Sequence, residues 1–361
     1  MTKFWDMELE TKPDFVDSMK RVYAWYDHEI IDRVPVRFSA HNAEYNIVDD
    51  LSKWNTLEER WFDVEYQVGK FVKSLEHSSF LGETFPMFFP NLGPNYYGAT
   101  MGGELIFGDV TSWLQECVED ESDLDKIYFR KDSKYYKKMM ELMNCAFDQC
   151  KNKFMVGYTD MHSGMDVAAG FRGSQNLCLD LYDDPTFVDK LLKKCTVSFN
   201  DQMREFDKML KDHNQISVTW MNIPSYEGMH IPSCDFGAMI SKDFFNEFEL
   251  PYIKDEISLF KHNIFHLDGA GVAKHLDTLL ELDEIQAIQW VQGMGLNIPI
   301  MQWCPLIKKI QDAGRSVVVD LQVSELDDFM DAMSPKGIYL CISESDPEIQ
   351  KQILNKLLKW K

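Results

Sequence analysis

The sequence predicts a single (β/α)8 TIM barrel with an N-terminal helical extension, in one domain that spans residues 1–361. Three observations favour this class. Eight short apolar runs of strand length alternate with helical segments. No gap of domain size separates them, and a length of 361 residues suits one barrel with insertions. Strict alternation favours a parallel sheet, and eight units favour closure into a barrel.

The predicted elements follow from the spacing of apolar residues and from the turn residues between them. An N-terminal helical segment covers 1–31, and Asp184-Pro185 begins a second helix within a longer helical stretch. Residues 91–120 are Gly-rich and too long for a simple connection, so we expect an active-site loop there. In chain order the elements are a helix at 14–31, a strand at 32–39, helical residues at 49–80, a strand at 84–90, a helix at 133–150, a strand at 153–160, helices from 174 to 211, a strand at 216–222, a helix at 242–262, and strands at 264–268, 287–291, 316–320 and 337–342 with helical segments between them.

Composition excludes several classes of protein. With 59 acidic and 37 basic side chains the net charge is −22, so neither nucleic acid nor an anionic membrane is an expected partner. The first thirty residues do not read as a secretory signal, and no stretch is apolar enough for a membrane span. The eight cysteines are scattered without a CxxC pair. We therefore expect a cytoplasmic, reduced protein. The phosphate-binding motifs GxGxxG and GxxxxGK[ST] are absent from the sequence.

The stretch Asn263 to Gly271 carries the most informative pair of polar residues. His266 and Asp268 stand two residues apart directly before a Gly-rich turn, so in a strand both side chains face the same way. Active sites of barrels lie at the carboxyl ends of the strands. The pair can ligate a divalent metal, act as an oriented acid or base, or form a structural hydrogen bond. Cys341, at the end of the last strand, could supply a soft third ligand or be a small core residue.

Other polar residues at predicted strand ends are further candidates for the site. Asp160 and His162 repeat the two-residue spacing, as an acid/base pair or as a structural hydrogen bond. Trp220, Tyr226 and Glu227 lie in or near a Pro-containing loop, where they could line a substrate pocket or pack on one another. The remaining substrate-binding candidates are His41, beyond the first strand, and Gln289.

Five short motifs, in this order and spacing, carry a resemblance to a known family. They are Asp32-Arg-Val-Pro-Val36, Cys234-Asp-Phe-Gly-Ala-Met-Ile-Ser241, Phe244-Phe-Asn-Glu-Phe-Glu-Leu-Pro-Tyr252, His266-Leu-Asp-Gly269 and Pro335-Lys-Gly-Ile-Tyr-Leu340. Together they resemble the uroporphyrinogen decarboxylase-like superfamily, which also contains cobalamin-dependent methyltransferases. The resemblance implies the same (β/α)8 barrel. True decarboxylases carry an Arg-rich segment after the first strand, whereas residues 38–45 here contain no arginine. Uroporphyrinogen decarboxylation is therefore not expected.

The methyltransferase branch of that superfamily implies a zinc site built on a His-x-Cys motif and a later cysteine. Carried over to this sequence, the metal ligands are His266, Asp268 in place of the first cysteine, and Cys341. An aspartate makes the donor set harder, which suits Zn²⁺ or another divalent ion. The implied cofactors are Zn²⁺ and a corrinoid on a partner protein.

Three functional hypotheses follow from the residues and the resemblance. The first is a metal-assisted, corrinoid-linked methyltransferase acting on a small substrate, with His266 and Asp268 in catalysis. The second is a metal-independent carboxy-lyase or related lyase, with Asp160 or Asp268 as its acid/base group. The third is a non-catalytic barrel that binds a corrinoid or an aromatic ligand. We expect a small-molecule substrate and a corrinoid protein as partner, and allow for a homodimer.

Overall fold

The computed structural model describes residues 7–40 and 50–360, and it has a mixed α/β architecture with a barrel-like parallel sheet. The strands are β1 (Val36–Phe38), β2 (Met87–Phe88), β3 (Leu105–Phe107), β4 (Ser112–Leu114), β5 (Met155–Val156), β6 (Met229–His230), β7 (His262–Asp268), β8 (Ala287–Val291), β9 (Ser316–Asp320) and β10 (Ile338–Ile342). The helices are α1 (Phe15–Tyr26), α2 (Leu57–Phe62), α3 (Val64–Ser74), α4 (Tyr96–Thr100), α5 (Lys134–Cys150), α6 (Gly164–Arg172), α7 (Ser174–Asp183), α8 (Pro185–Thr196), α9 (Phe199–Asp212), α10 (Lys242–Phe244), α11 (Leu250–Ile257), α12 (Gly269–Ala273), α13 (Leu276–Leu280), α14 (Cys304–Asp312), α15 (Leu326–Ala332) and α16 (Pro347–Leu357).

Six strands form one parallel sheet in the order β1-β10-β9-β8-β7-β6, while β2 pairs with β5 in a separate parallel pair. The first strand thus lies against the last, as in a barrel. Side chains of the segment before β2 link it to β1: the Val36 amide donates to Glu83 at 2.8 Å, and the Phe38 amide donates to Thr84 at 2.8 Å. The barrel-like class is confirmed. A complete eight-stranded barrel, however, is not formed by the described residues.

The predicted strand at 216–222 accounts for part of this difference. Ser217 exchanges two backbone hydrogen bonds with Ser225, at 3.0 and 2.8 Å, so the chain turns back on itself instead of extending. Asn222 adopts a positive φ of 56° within that turn. One backbone bond, from the Tyr158 amide to the Val218 carbonyl at 2.9 Å, still connects this segment to its neighbour. The segment occupies a strand's place in the sheet without forming a strand.

Several connections hold more structure than the sequence predicted. The loop at 91–120 contains α4 and an antiparallel hairpin of β3 and β4. The helix at 242–262 is broken by a π-helical turn, Phe245–Glu249, between α10 and α11. Such turns are rare and are frequent at functional sites.

The buried sheet brings the carboxyl ends of β7, β8 and β9 to one edge. All residues of β10 are buried, and in β8 and β9 only the last residue is not. Parallel strands covered on both faces are near-continuous apolar runs, as here. Polar residues therefore appear where the strands end. Among the described residues, no helix is both long and apolar enough to span a membrane.

Candidate metal centre

Asp235, His266 and Asp268 form a compact group at the carboxyl end of β7. One potential ligand atom from each of the three lies within 4.8 Å of the others. The segment before Asp235 runs beside β7: the His266 amide donates to the Pro232 carbonyl at 2.9 Å, and Ser233 bridges His266 in parallel. Asp235 then stands two residues beyond Ser233, as Asp268 stands two beyond His266. Asp235 begins a 3₁₀ turn, Asp235–Met239, directly beyond this pairing, so both carboxylates lie at the same end.

The imidazole of His266 is held from two sides. Its Nδ1 lies 2.6 Å from Oε1 of Gln289, the residue opposite it on β8. With the amide oxygen facing the ring, Nδ1 donates the hydrogen bond, and Nε2 is the nitrogen that a metal ion could bind. Trp220 packs edge-on against the ring at 5.4 Å between centroids. This is the arrangement in which an outer hydrogen bond sets the tautomer of a metal-binding histidine.

The electrostatics of the group favour a cation. Burial and the neighbouring Asp235 carboxylate raise the pKa of Asp268, while His266 lowers it. Burial also raises the pKa of Asp320 at the end of β9, and Arg37 and His266 oppose that shift. Two carboxylates that repel each other at short range gain when a positive ion lies between them.

Asp166, on the first turn of α6, holds Asp235 in place. Its two oxygens accept the amides of Asp235 and Phe236 at 3.0 and 2.8 Å. Burial and the Asp235 charge raise the pKa of Asp166 to about 6. Beside it, His162 contacts Asp160 at 3.1 Å. Burial opposes the charge on His162, but the surrounding carboxylates outweigh it and raise the pKa of His162 to about 10. His162 is therefore held protonated next to the group.

The turn that carries Asp166 is itself anchored by two buried glutamates. Ser163 donates to Glu256, and the Met165 amide donates to Glu249 at 2.8 Å. Gly164 has a φ of +59°, and a Cβ there would lie 2.5 Å from Glu249, so only glycine fits. Glu249 ends the π-helical turn, and burial raises the pKa of Glu249 well above its usual value. These contacts fix the turn that carries Asp166, and Asp166 in turn holds Asp235 in the group.

Replacing Asp166 with alanine is expected to speed amide hydrogen exchange at Asp235 and Phe236 roughly tenfold or more. Each amide loses a hydrogen bond to a charged acceptor, which is worth about 1.5–3 kcal/mol. Asp166→Asn keeps one acceptor and should show an intermediate rate. The measurement is hydrogen exchange resolved by NMR or by peptide mass spectrometry.

The matched control is Asp184→Ala. Asp184 caps α8 by accepting the Phe187 amide at 3.0 Å, so this variant loses a similar bond elsewhere. It should leave exchange at Asp235 and Phe236 unchanged. Wild-type exchange at these two amides in Asp166→Ala would contradict the anchoring role.

The structure brings together four of the residues that the sequence singled out: His266, Asp268, Gln289 and Trp220. Asp160 and His162 join them indirectly, through Asp166 and Asp235. His41 lies outside the described residues.

Cys341 does not join the group of Asp235, His266 and Asp268. It stands on β10, opposite Arg37 of β1 and Asp320 of β9, and two further strands separate β10 from β7. Burial raises the pKa of Cys341 to about 11 although Arg37 lowers it, so the thiol is held neutral. Asp235 takes the third place that the sequence assigned to this cysteine.

Tyr226 and Glu227 lie at the opposite end of β7. Glu227 pairs with Lys261 at 2.8 Å, and the neighbouring Ser225 hydroxyl lies 2.7 Å from His262, where β7 begins. Six residue steps along β7 separate His262 from Asp268, which is roughly 20 Å at about 3.3 Å per residue. The structure therefore places Tyr226 and Glu227 away from His266, and their contact with a substrate stays a prediction.

Sequence reasoning missed Asp235 and Asp166 as members of the site. Asp235 belongs to the motif Cys234 to Ser241, which contributed only to the family resemblance. Asp166 follows the Asp160 and His162 pair closely, in the first turn of a helix. For Asp166 a signal was its place soon after the predicted strand 153–160 and the Asp160 and His162 pair, whereas no local pattern marked Asp235.

Comparison with known proteins gives one structural match to report. No protein-family profile matches this chain, and no curated protein matches it. Among solved structures, the chain is similar to a methyltransferase from Methanosarcina mazei, with a TM-score of 0.60 and 11% sequence identity. The alignment covers 94% of this chain and 98% of that one. At such identity the likeness shows a common fold over nearly the whole of both chains.

Proposed function

We propose that the protein is a metal-assisted methyltransferase in which Asp235, His266 and Asp268 hold a divalent cation. The observation that carries the proposal is the compact group itself, with its ligand atoms within 4.8 Å of one another. The fold shared with a methyltransferase and the family resemblance of the sequence support the choice of reaction.

The three side chains fit a divalent ion chemically. Two carboxylates and one imidazole are ligands that Zn²⁺ accepts at about 2.0–2.2 Å, and Mn²⁺, Fe²⁺ and Co²⁺ accept the same donors. Three protein ligands leave a position for substrate, as in catalytic zinc sites. The Gln289 contact leaves Nε2 of His266 free to ligate.

Each residue of the site has a distinct task in this proposal. A bound cation would supply Lewis acidity and lower the pKa of a thiol or similar nucleophile. Gln289 keeps the His266 ring in the ligating tautomer, and Asp166 keeps Asp235 at the group. Trp220 packs edge-on against the His266 ring and limits its movement. A corrinoid carried by a partner protein would donate or accept the methyl group.

Metal analysis of protein purified without chelator tests the site. We expect about one divalent ion per chain, lost in folded Asp235→Ala, His266→Ala and Asp268→Ala variants, because each removes one of three ligands. Glu281→Gln, an exposed carboxylate in the crossover after β7, is the matched control and should keep the metal. Absence of metal from the wild-type protein under every loading condition would rule the metal centre out.

Methyl transfer from methylcobalamin to a simple thiol tests the reaction. The thiolate takes the methyl group while the electron pair of the broken bond stays on cobalt, so cob(I)alamin absorbance reports turnover. We expect turnover in metal-loaded wild-type protein and none in His266→Ala. Metal binding without any methyl transfer would instead favour the lyase or the non-catalytic hypothesis.

A further inference from the structure

A cleft of about 400 Å³ opens beside the metal-binding group, between the β3–β4 hairpin, α6 and the segment after β6. Asp235 lines this cleft and also belongs to the group. A molecule in the cleft therefore reaches one of the proposed metal ligands. The cleft volume lies within the range of small-molecule sites, about 300–1,000 Å³.

The walls of the cleft are mainly apolar. Trp113 and Leu114 of β4 form one side, and Phe236 and Met239 form another. Trp113 is 48% exposed and Met239 is 56% exposed. Large apolar side chains left in water around a concave surface are typical of ligand-binding grooves.

The hairpin packs closely against α6 at Gly170. A Cβ there would meet a Leu114 methyl group at 3.1 Å and the Asn95 side-chain oxygen at 3.3 Å. The missing side chain therefore lets Leu114 of β4 lie directly on α6, which fixes the position of the hairpin beside the cleft.

The polar end of the cleft lies at Asp235. Asp166 uses both carboxylate oxygens on the amides of Asp235 and Phe236, and His162 directs Nε2 to Asp160. Asp235 is exposed, and its side chain is the one shared with the group. A polar head group is therefore drawn to the Asp235 end, and an apolar body to the Trp113 end.

We infer that the cleft holds an apolar body, such as an aromatic ring, joined to the group that gives or receives the methyl. This inference rests on the proposed function and adds the class of substrate. The substrates would be thiols or methyl thioethers that carry an aryl or bulky alkyl body. Asp235 belongs both to the cleft and to the proposed metal ligands, so it connects the two parts of the site.

Two thiols measured on Co²⁺-loaded protein test the inference, since a thiolate bound to Co²⁺ gives a charge-transfer band. Benzyl mercaptan should bind about tenfold or more tightly than ethanethiol, because the ring is buried in the cleft. Trp113→Ala should reduce this ratio, and Ala169→Phe, which fills the cleft from α6, should bring it near one. Ile106→Ala is the matched control: Ile106 lies opposite Trp113 on the same hairpin and is 42% exposed. It should keep the wild-type ratio.

A metal-free measurement keeps this inference separate from the proposed function. Saturation-transfer NMR with benzyl methyl sulfide should show ring contact in metal-free wild-type protein and in Ile106→Ala, and less in Trp113→Ala. If no Co²⁺ binds but this pattern holds, the metal centre fails and the cleft stands. If Co²⁺ binds, but both thiols bind equally or their ratio is unchanged in Trp113→Ala and Ala169→Phe, the cleft is not the subsite and the metal centre stands.

Discussion

Replacing Glu83 with alanine is expected to lower the free energy of unfolding by about 3–5 kcal/mol, the range for removing one partner of a buried ion pair. Glu83 is fully buried and accepts two hydrogen bonds from Arg33, at 2.7 and 2.9 Å. It also accepts the Val36 amide of β1 at 2.8 Å. The variant would leave the Arg33 guanidinium, only 6% exposed, without its carboxylate. It would also remove the acceptor of the Val36 amide, while the Thr84 contact with β1 remains.

Chemical denaturation followed by circular dichroism measures this loss. The matched control is Asp32→Ala, because Asp32 binds Arg21 of the same cluster at 2.7 and 2.8 Å but is partly exposed. Ion pairs near the surface contribute about 0–1 kcal/mol, so the control should cost far less. Equal losses in the two variants would show that burial of Glu83 does not matter.

Replacing Gln289 with leucine is expected to weaken metal binding about 10- to 100-fold, as loss of an outer hydrogen bond to a ligating histidine does. Leucine has a similar volume but cannot accept a hydrogen bond from Nδ1 of His266, so the ring loses the contact that sets its tautomer. Competition with a chromophoric chelator gives the affinity. At saturating metal the stoichiometry should stay at about one, because all three ligands remain.

Gln292→Leu is the matched control for this prediction. Gln292 is a second buried glutamine just past β8, and its amide donates to the Ile298 and Asp320 carbonyls. Its loss should disturb the loop after β8 and leave metal affinity near the wild-type value. A similar fall in both variants would mean that general loosening of this edge, not the His266 contact, sets the affinity.

Most of the sheet could be predicted from local patterns. The runs at 287–291 and 316–320 coincide with β8 and β9, and 337–342 differs from β10 by one residue. These strands are buried on both faces, so continuous apolar runs between turn residues mark them clearly. The run at 216–222 has the same pattern but does not form a strand. Ser217 pairs with Ser225 across the turn at Asn222 instead, and no local pattern predicts that pairing.

The site divides in the same way between local pattern and tertiary contact. The spacing of His266 and Asp268 on a strand, and hence their common direction, follows from the sequence because a strand has a period of two. The third member of the group was decided by the fold. Backbone pairing of the Pro232–Ser233 segment with His266 brings Asp235 in, and two strands keep Cys341 away.

The sequence by itself therefore determined the alternating barrel-like class and one strand-end pair of potential ligands, because both depend on periodicities of a few residues. Only the tertiary structure decided which three side chains come together at the strand end, the anchoring of Asp235 by Asp166 and the cleft beside Trp113. Each of these joins residues from distant parts of the chain, and Asp166 and Asp235 are 69 positions apart. Contacts of that kind depend on how loops return to a strand end, which the pattern of apolar residues along the chain does not encode.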